Sequence, residues 1–400
     1  MLQLQILEEG KYFFASLSSD YTIHDPIYNR RVRVLMLSKA CVVGAYQRKC
    51  EEIAARDDIE LTVAVPPEWK YERGTLKLEK TYTRGYRLVT QPILFNGSFH
   101  LHFYPRFESL VRQVLPDVIH IDEEPYNFAT FHALRIAQKY HARSLFFSWQ
   151  NLNRRYPFPF NAMESYVLKH VDYAICGNHD SVEVWRSKGY TGKTKVIPQF
   201  GVDPDLFCPS PRGRGGRGEG DLFTIGYGGR LVREKGIHIL LHAFARLNDH
   251  SRLKILGSGP QRDSLENLAR ALNVHDRVEF LNWIPSTETP NFARSLDVFV
   301  LPSLTQSNWK EQFGRALIEN MACGVPVIGS TCGEIPNVIG DAGLIVNEGD
   351  DAELANALIR LRDDLNLRND LAQRGRERVL EKFTQKRVAE ETVRVYREIQ

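Results

Sequence analysis

Short apolar runs alternate with longer stretches of helical period along most of this chain. After an unpatterned start, "RRVRVLMLS" (residues 30–38) is a continuous apolar run behind a basic start, the pattern of a strand buried on both faces. Similar runs recur at "IELTVAVP", "PDVIHID", "RSLFFSW", "VDYAICGN" and "TKVIPQF", with helical stretches such as "NFATFHALRIAQKY" and "SVEVWRSKGY" between several of them. Strands alternating with helices predict parallel pairing in a covered α/β sheet. The alternation stops at "CPSPRGRGGRGEGD", whose Gly, Pro and Arg cannot bury a core, and this segment is read as a linker or exposed loop. It resumes with "LFTIGYGG", "RLKILGSG", "RVEFLNW", "LDVFVLPS", "GVPVIGS" and "GLIVNEG", predicting a second α/β domain. The last stretch, "TQKRVAEETVRVYREIQ", sets Val388, Val393, Val395 and Tyr396 among charges and predicts a closing amphipathic helix. The expected division is an N-terminal extension (1–30), a first domain (31–207), a linker (208–221), a second domain (222–380) and a terminal helix (381–400).

Length agrees with this division, since 400 residues are ample for two cores. A net charge of +3 argues against nucleic acid as the partner. The six cysteines form no C-x-x-C pair, and they read as reduced, packed thiols in a cytoplasmic protein. The N-terminus lacks the basic and apolar regions of a secretion signal, and no window is apolar for the ~18 residues of a membrane span. Peripheral membrane contact stays open.

Two parallel sheets joined by a linker place a cleft between the domains, where ligands bind beyond the carboxyl ends of the strands. "GYGGRLVREKG" falls at such an end. Gly228 and Gly229 allow close backbone approach, and Arg230 and Lys235 supply cations suited to a diphosphate. A surface turn with solvated charges, pairing Arg233 or Glu234, fits the same string equally well. "ILGSGP", with Gly257, is weak as a phosphate cradle and fits a plain strand-to-helix connection better. In "EQFGRALIENMACGVPVIGS", a helix beginning near Phe313 would put Arg315 and Glu319 on one face as an i, i+4 pair. Strand-like runs on both sides place its amino end at the cleft, with Glu311 at the mouth. If the segment were helical throughout, Glu319 would lie about 12 Å further along. That is the spacing between the sugar and the ribose of a nucleoside diphosphate sugar, and a carboxylate can accept bonds from vicinal hydroxyls on either ring.

The order "GGRLVREKG", "GSGP", "EQFGRALIENMACGVPVIGS", "GEIPNVIGDAGLIV" closely resembles the retaining GT-B glycosyltransferases of the group 1, family four type, over most of residues 31–400. The resemblance implies two Rossmann-like, doubly wound parallel-sheet domains facing a cleft, the first on the acceptor side and the second binding the nucleotide sugar. It assigns the diphosphate to Arg230 and Lys235 beside Gly229 and Gly257, and the ribose to Glu319. The transferred sugar falls to Glu311 with the backbone of Phe313 and Gly314, and the base to the backbone near Ile284 in "FLNWIP". The final helix would cross back onto the first domain. The implied reaction moves a hexose from a nucleotide diphosphate sugar to a hydroxyl of a glycan or lipid-linked acceptor, with retention by front-face attack. No cofactor or metal is called for. A sugar-nucleotide epimerase of the same fold and a non-catalytic sugar-nucleotide binding protein stay open as alternatives.

The first half carries weaker motifs. Gly44 in "SKACVVGAYQ" is similar to the family's acceptor-side glycine loop, and an ordinary turn glycine explains it equally well. Glu123 and Glu124 in "HIDEEPYNF" and Gln150 in "WQNLNRRYPFPF" stand at strand ends that should face the cleft. Many relatives have a histidine where Gln150 stands. An amide cannot carry a proton near neutral pH, so the expectation is that Gln150 positions a hydroxyl while the proton leaves to the departing phosphate oxygen. His120 is read as a packed or solvated residue and not as a catalyst. Asp203 and Asp205 in "VDPDLF" are read as a turn and not as a metal site.

Overall fold

The computed structural model describes residues 30–71, 74–210, 222–247, 250–285 and 287–400. Residues 1–29 of the expected extension and 211–221 of the expected linker lie outside the described residues. In the first domain the strands are β1 (Val32–Leu37), β2 (Ile59–Val65), β3 (Glu68–Tyr71), β4 (Gly74–Lys77), β5 (Arg87–Thr90), β6 (Val118–Ile121), β7 (Arg143–Ser148), β8 (Tyr173–Cys176) and β9 (Lys193–Val196). In the second they are β10 (Phe223–Gly228), β11 (Ser251–Leu256), β12 (Val278–Leu281), β13 (Val298–Leu301), β14 (Val327–Ser330) and β15 (Leu344–Val346).

The first sheet has seven strands in the order β5-β2-β1-β6-β7-β8-β9, and the second has six in the order β12-β11-β10-β13-β14-β15. Every pairing in both sheets is parallel. In each, the chain starts at a central strand, winds to one edge and returns to build the other side. The topological switches therefore lie between β1 and β6 and between β10 and β13, where α/β sheets bind ligands. The parallel α/β pairing expected from the apolar runs and the doubly wound order that the resemblance implies are the ones observed. Two elements had no strong apolar run. The edge strand β5 is only half covered, and β3 and β4 form a largely exposed antiparallel hairpin.

Central strands carry apolar residues on both faces because helices cover both. Leu35, Leu37, Ile119 and Phe146 face one core of the first domain, while Val34, Met36, Val63 and Ile175 face the other. The second core is completed by the helix Gln385–Glu398, whose Val388, Ala389, Val393 and Tyr396 pack into it. The chain crosses between domains at Thr384, where the Val202 amide donates to Phe383 O and the Gln385 amide to Val202 O. His120 is fully buried and accepts or donates at Nδ1 to the Tyr396 hydroxyl, 2.7 Å away, and burial holds it well below its ordinary pKa. It is a packing residue that seats the last helix.

Candidate active site

The loops leaving β10 and β11 interlock. A Cβ on Gly257 would lie 1.9 Å from Gly229 O, so a side chain there would force the loops apart. The Gly229 amide donates to Leu256 O and the Leu231 amide to Ser258 O. These glycines close a connection rather than offering free amides, as the plain reading of "ILGSGP" has it. Their packing shapes a cavity of about 330 Å³ lined by Gly228, Gly229, Arg230, Gly257, Trp283, Ile284, Phe292, Glu319 and Asn320. It has an apolar aromatic wall and a few polar groups, the make-up of a small-ligand site.

Five of the residues singled out in the sequence, Gly229, Arg230, Gly257, Ile284 and Glu319, thus line one cavity. Glu319 also accepts from Arg315 Nε at 2.8 Å, so the bland i, i+4 pair and the cavity position hold together. Burial pushes the Glu319 carboxyl up, and Arg315 opposes this. Arg230 is exposed and stands 3.9 Å from Glu234, a loose pair in high dielectric.

The segment from Glu311 to Gly314 departs from the simple helical picture. The helix spans Arg315–Ala322, and its N-cap Gly314 has φ 80°, a left-handed turn favouring glycine. The 12 Å axial spacing therefore does not apply, because Glu311 precedes the helix on an irregular strand of chain. Its carboxylate Oε2 accepts from Lys235 Nζ at 2.6 Å and from Ser303 Oγ at 2.9 Å. Lys235 also stands over the Trp309 ring, 5.0 Å from its centre. The lysine read as a diphosphate ligand and the glutamate read as a sugar ligand are one ion pair, which the sequence reading had kept apart. Phe313 packs between Trp149 and Phe383, with centroids 5.8 and 5.7 Å away, and its side chain faces a separate cavity with His179 and Glu334.

The acceptor-side residues are held by internal partners. The Gly44 amide donates to Glu79 Oε2 at 2.6 Å, and a Cβ there would meet Thr81 Oγ1. Glu123 pairs with Lys39 and lies 3.5 Å from His102 Nε2. Burial alone would raise the Glu123 carboxyl, but Lys39 and His102 outweigh it and hold it at about 2. Lys39 sits under the rings of Phe99 and Trp69 at 4.8 and 5.4 Å. Glu124 takes the Ser148 hydroxyl at 2.6 Å and the Trp149 amide at 2.7 Å, and burial pushes it up to about 7. Gln150 donates to Leu152 O and accepts from the Tyr156 hydroxyl, both at 3.0 Å, so its amide braces its own loop. Asp203 accepts from the Asp205 amide at 3.0 Å, a local turn.

The loop after β7 docks on the loop carrying Glu311. Asn151 Nδ2 donates to the carbonyls of Lys310 and Glu311 at 3.1 and 3.2 Å, Gln312 Nε2 to Trp149 O at 3.0 Å, and Arg154 to Asn308 O at 2.7 Å. Nearby, Glu334 accepts from the His179 amide at 3.0 Å, and its Oε1 is 2.7 Å from His179 Nδ1. A further contact between the domains has the Arg315 guanidinium facing the Tyr46 ring at 5.5 Å, and that ring stacks on Phe200 at 4.0 Å. Sequence reasoning missed Lys39, Trp69, Tyr46, Asn151 and Trp283. Only Trp283 had a usable signal, an indole inside "FLNWIP" that is largely exposed at the cavity.

Two doubly wound domains meeting across a cleft, with a nucleotide-sized cavity at the switch of the second sheet, define a GT-B protein. Residues 216–378 match the glycosyl transferases group 1 model, and residues 50–206 match Glycosyltransferase Family 4. The chain belongs to the group 1 glycosyltransferases of the family four type. Over 165 residues, 40% of this chain and 46% of the relative, it is 37% identical to the lipopolysaccharide core biosynthesis glycosyltransferase LpsE of Rhizobium meliloti (strain 1021). The matches span about half the length of the curated relatives. Among solved structures, sucrose-phosphate synthase from Thermosynechococcus elongatus aligns with TM-score 0.67 at 22% identity, over 92% of this chain and 99% of that one. HepE of Anabaena, in complex with UDP, aligns with TM-score 0.68 at 18% identity, over 92% and 100%. At such identities the two structures speak to the fold alone.

Proposed function

We propose that this protein transfers a hexosyl group from a nucleoside diphosphate sugar to a hydroxyl of a glycan or lipid-linked acceptor, with retention of anomeric configuration. The observation that carries the reading is the one cavity that Gly229, Arg230, Ile284 and Glu319 line together, with Lys235, paired to Glu311, on the connection that follows Arg230. A base fits against Trp283 and the backbone of Ile284, the ribose hydroxyls fit Glu319, and the diphosphate lies towards Arg230 and Lys235. Lys235 has three N–H donors, of which Glu311 takes one, so the ammonium can serve a phosphate oxygen while it orients the carboxylate. Cations at the leaving diphosphate stabilise the charge that develops there. Glu311, the carboxylate assigned to the sugar, is engaged by Lys235 and Ser303, which favours front-face attack with the acceptor proton passing to the departing phosphate oxygen. Arg230, Lys235 and the helix N-terminus meet the phosphate charge in this reading, so no divalent ion is assigned.

A thermal-shift panel of nucleoside diphosphate sugars selects the donor. Mass spectrometry with glycan and lipid-linked acceptors then tests transfer, and the product anomer is read by NMR. Donor epimerised without an acceptor, or bound and unchanged under every acceptor, would sink the proposal.

A further inference from the structure

Half of the exposed large hydrophobic residues among those described, seven of fourteen, fall in three connections of the first domain. The β3–β4 hairpin after β2 carries Tyr71 and Leu76. The segment after β5 carries Leu94, Phe95, Phe99 and Leu101. The loop after β7 carries Phe158, 81% exposed. All three leave the carboxyl ends of parallel strands, so they crowd one edge of the sheet, the edge that faces the cleft.

The three also touch. Asn96 accepts from the Lys70 amide and donates to Glu68 O, tying the second segment to the hairpin. His100 packs on Tyr156 and Phe160 at 5.5 and 5.0 Å, tying it to the third. Phe99 reaches inward to Lys39, so the rim borders the Lys39–Glu123 pair on the acceptor side. Between Glu68 and Arg106 the sequence has seven basic and three acidic residues, in a chain whose net charge is only +3. Lys70 and Lys77 on the hairpin and Arg155 beside Phe158 are exposed.

Exposed aromatic and aliphatic side chains ringed by lysine and arginine suit the boundary between lipid headgroups and acyl chains, where rings insert and cations meet anionic headgroups. We propose that this rim docks the protein on an anionic lipid surface, so that a lipid-linked acceptor enters the site from the membrane side. Entry of the acceptor here rests on the function proposed above; the docking itself does not. Among the described residues no helix is long and apolar enough to cross a membrane, and the docking is shallow.

The test is co-sedimentation of the full chain with phosphatidylcholine vesicles and with vesicles also containing phosphatidylglycerol. Wild type should bind the anionic vesicles more strongly. Phe95→Ser with Phe158→Ser should weaken that binding by about tenfold, since two inserted rings are lost. Lys70→Glu with Lys77→Glu should abolish the preference for phosphatidylglycerol, and Leu365→Ser, an exposed leucine in the other domain, should change nothing. Nucleoside diphosphate affinity measured on the same proteins reports separately on the donor site. Absence of wild-type binding to either vesicle overturns the proposal, as does equal binding of the double phenylalanine variant. Capture by a soluble glycan acceptor without vesicle binding overturns it too and reassigns the rim to glycan.

Discussion

Removing Lys235 perturbs two assigned functions at once. Its Nζ lies 2.6 Å from Glu311 Oε2, with the side chains only 14% and 10% exposed. At an effective dielectric of about 20, such a pair attracts by roughly 6 kcal/mol before desolvation is subtracted. Breaking a buried pair from one side leaves the other charge uncompensated, at a cost of about 3–5 kcal/mol. Lys235→Met should therefore destabilise by about 3 kcal/mol, at the low end because Ser303 still donates to the glutamate. Glu311→Gln should cost less, since the amide can keep the Ser303 contact. The double variant should be less destabilised than the sum by about 1.5–3 kcal/mol, the coupling expected of residues in contact. Urea unfolding of the four proteins measures the cycle. Calorimetric titration with nucleoside diphosphate supplies the second reading: Lys235→Met should lose about tenfold in affinity, while Glu311→Gln should keep or improve it because the ammonium is freed. Additivity within about 0.5 kcal/mol in the unfolding cycle would show that the pair does not couple, and the linked account of the two residues would fall.

Trp283→Ala should weaken nucleotide binding by about 1–2 kcal/mol, roughly tenfold or more, if the exposed indole carries the base, and an unchanged titration would move the base elsewhere. Glu124, held at about 7 against an ordinary 4.5, binds its proton more tightly in the folded state, so stability should fall as pH rises from about 4.5 to 7. Glu124→Gln should remove that part of the decline, on the order of 2–3 kcal/mol; melting curves of both proteins across the window, if parallel, would refute it. Transfer should survive excess chelator, and loss with EDTA followed by recovery with a divalent ion would transfer the diphosphate charge to a metal. Arg315→Gln should raise KM for the donor by several-fold, since Glu319 loses the partner that orients it and opposes the effect of its burial, and Arg315→Lys should restore part of it. Equal KM in all three proteins would leave the pair without a role.

Strands buried on both faces announced themselves, because helices above and below demand apolar residues at consecutive positions, as in Val34 to Leu37. β5 did not, since an edge strand with polar positions has no such demand, and the hairpin is mostly exposed. In the second domain part of the cavity lining was legible, because Gly229, Arg230 and Gly257 follow strands directly. The Lys235–Glu311 pair was not: the partners are 76 positions apart, and only the closeness of the β10 and β13 ends unites them. Spacing misled at Glu311, where the left-handed Gly314 interrupts the helix that the residue count assumed. Gln150 shows the limit of placing a residue by strand end alone, since the end was right but Leu152 O and the Tyr156 hydroxyl claim the side chain.

The contacts across the cleft bind these parts into one unit. Glu311 is fixed at its carboxylate by its own domain, through Lys235 and Ser303, and at its backbone by the other domain, through Asn151. The adjoining Gln312 reaches Trp149 O, whose own amide is held by Glu124. A displacement of the domains that breaks the Asn151 and Gln312 bonds removes half the support of the loop that presents Glu311. Gly333 adds a constraint from behind, because a Cβ there would stand 2.1 Å from Glu311 O and push the loop out. The groups assigned to the sugar thus depend on the first domain being in place, while the cavity assigned to the nucleotide is built almost wholly from the second. On the function proposed above, the nucleotide needs only the lining that the second domain supplies, whereas the sugar site also needs the Asn151 and Gln312 bonds to the first domain.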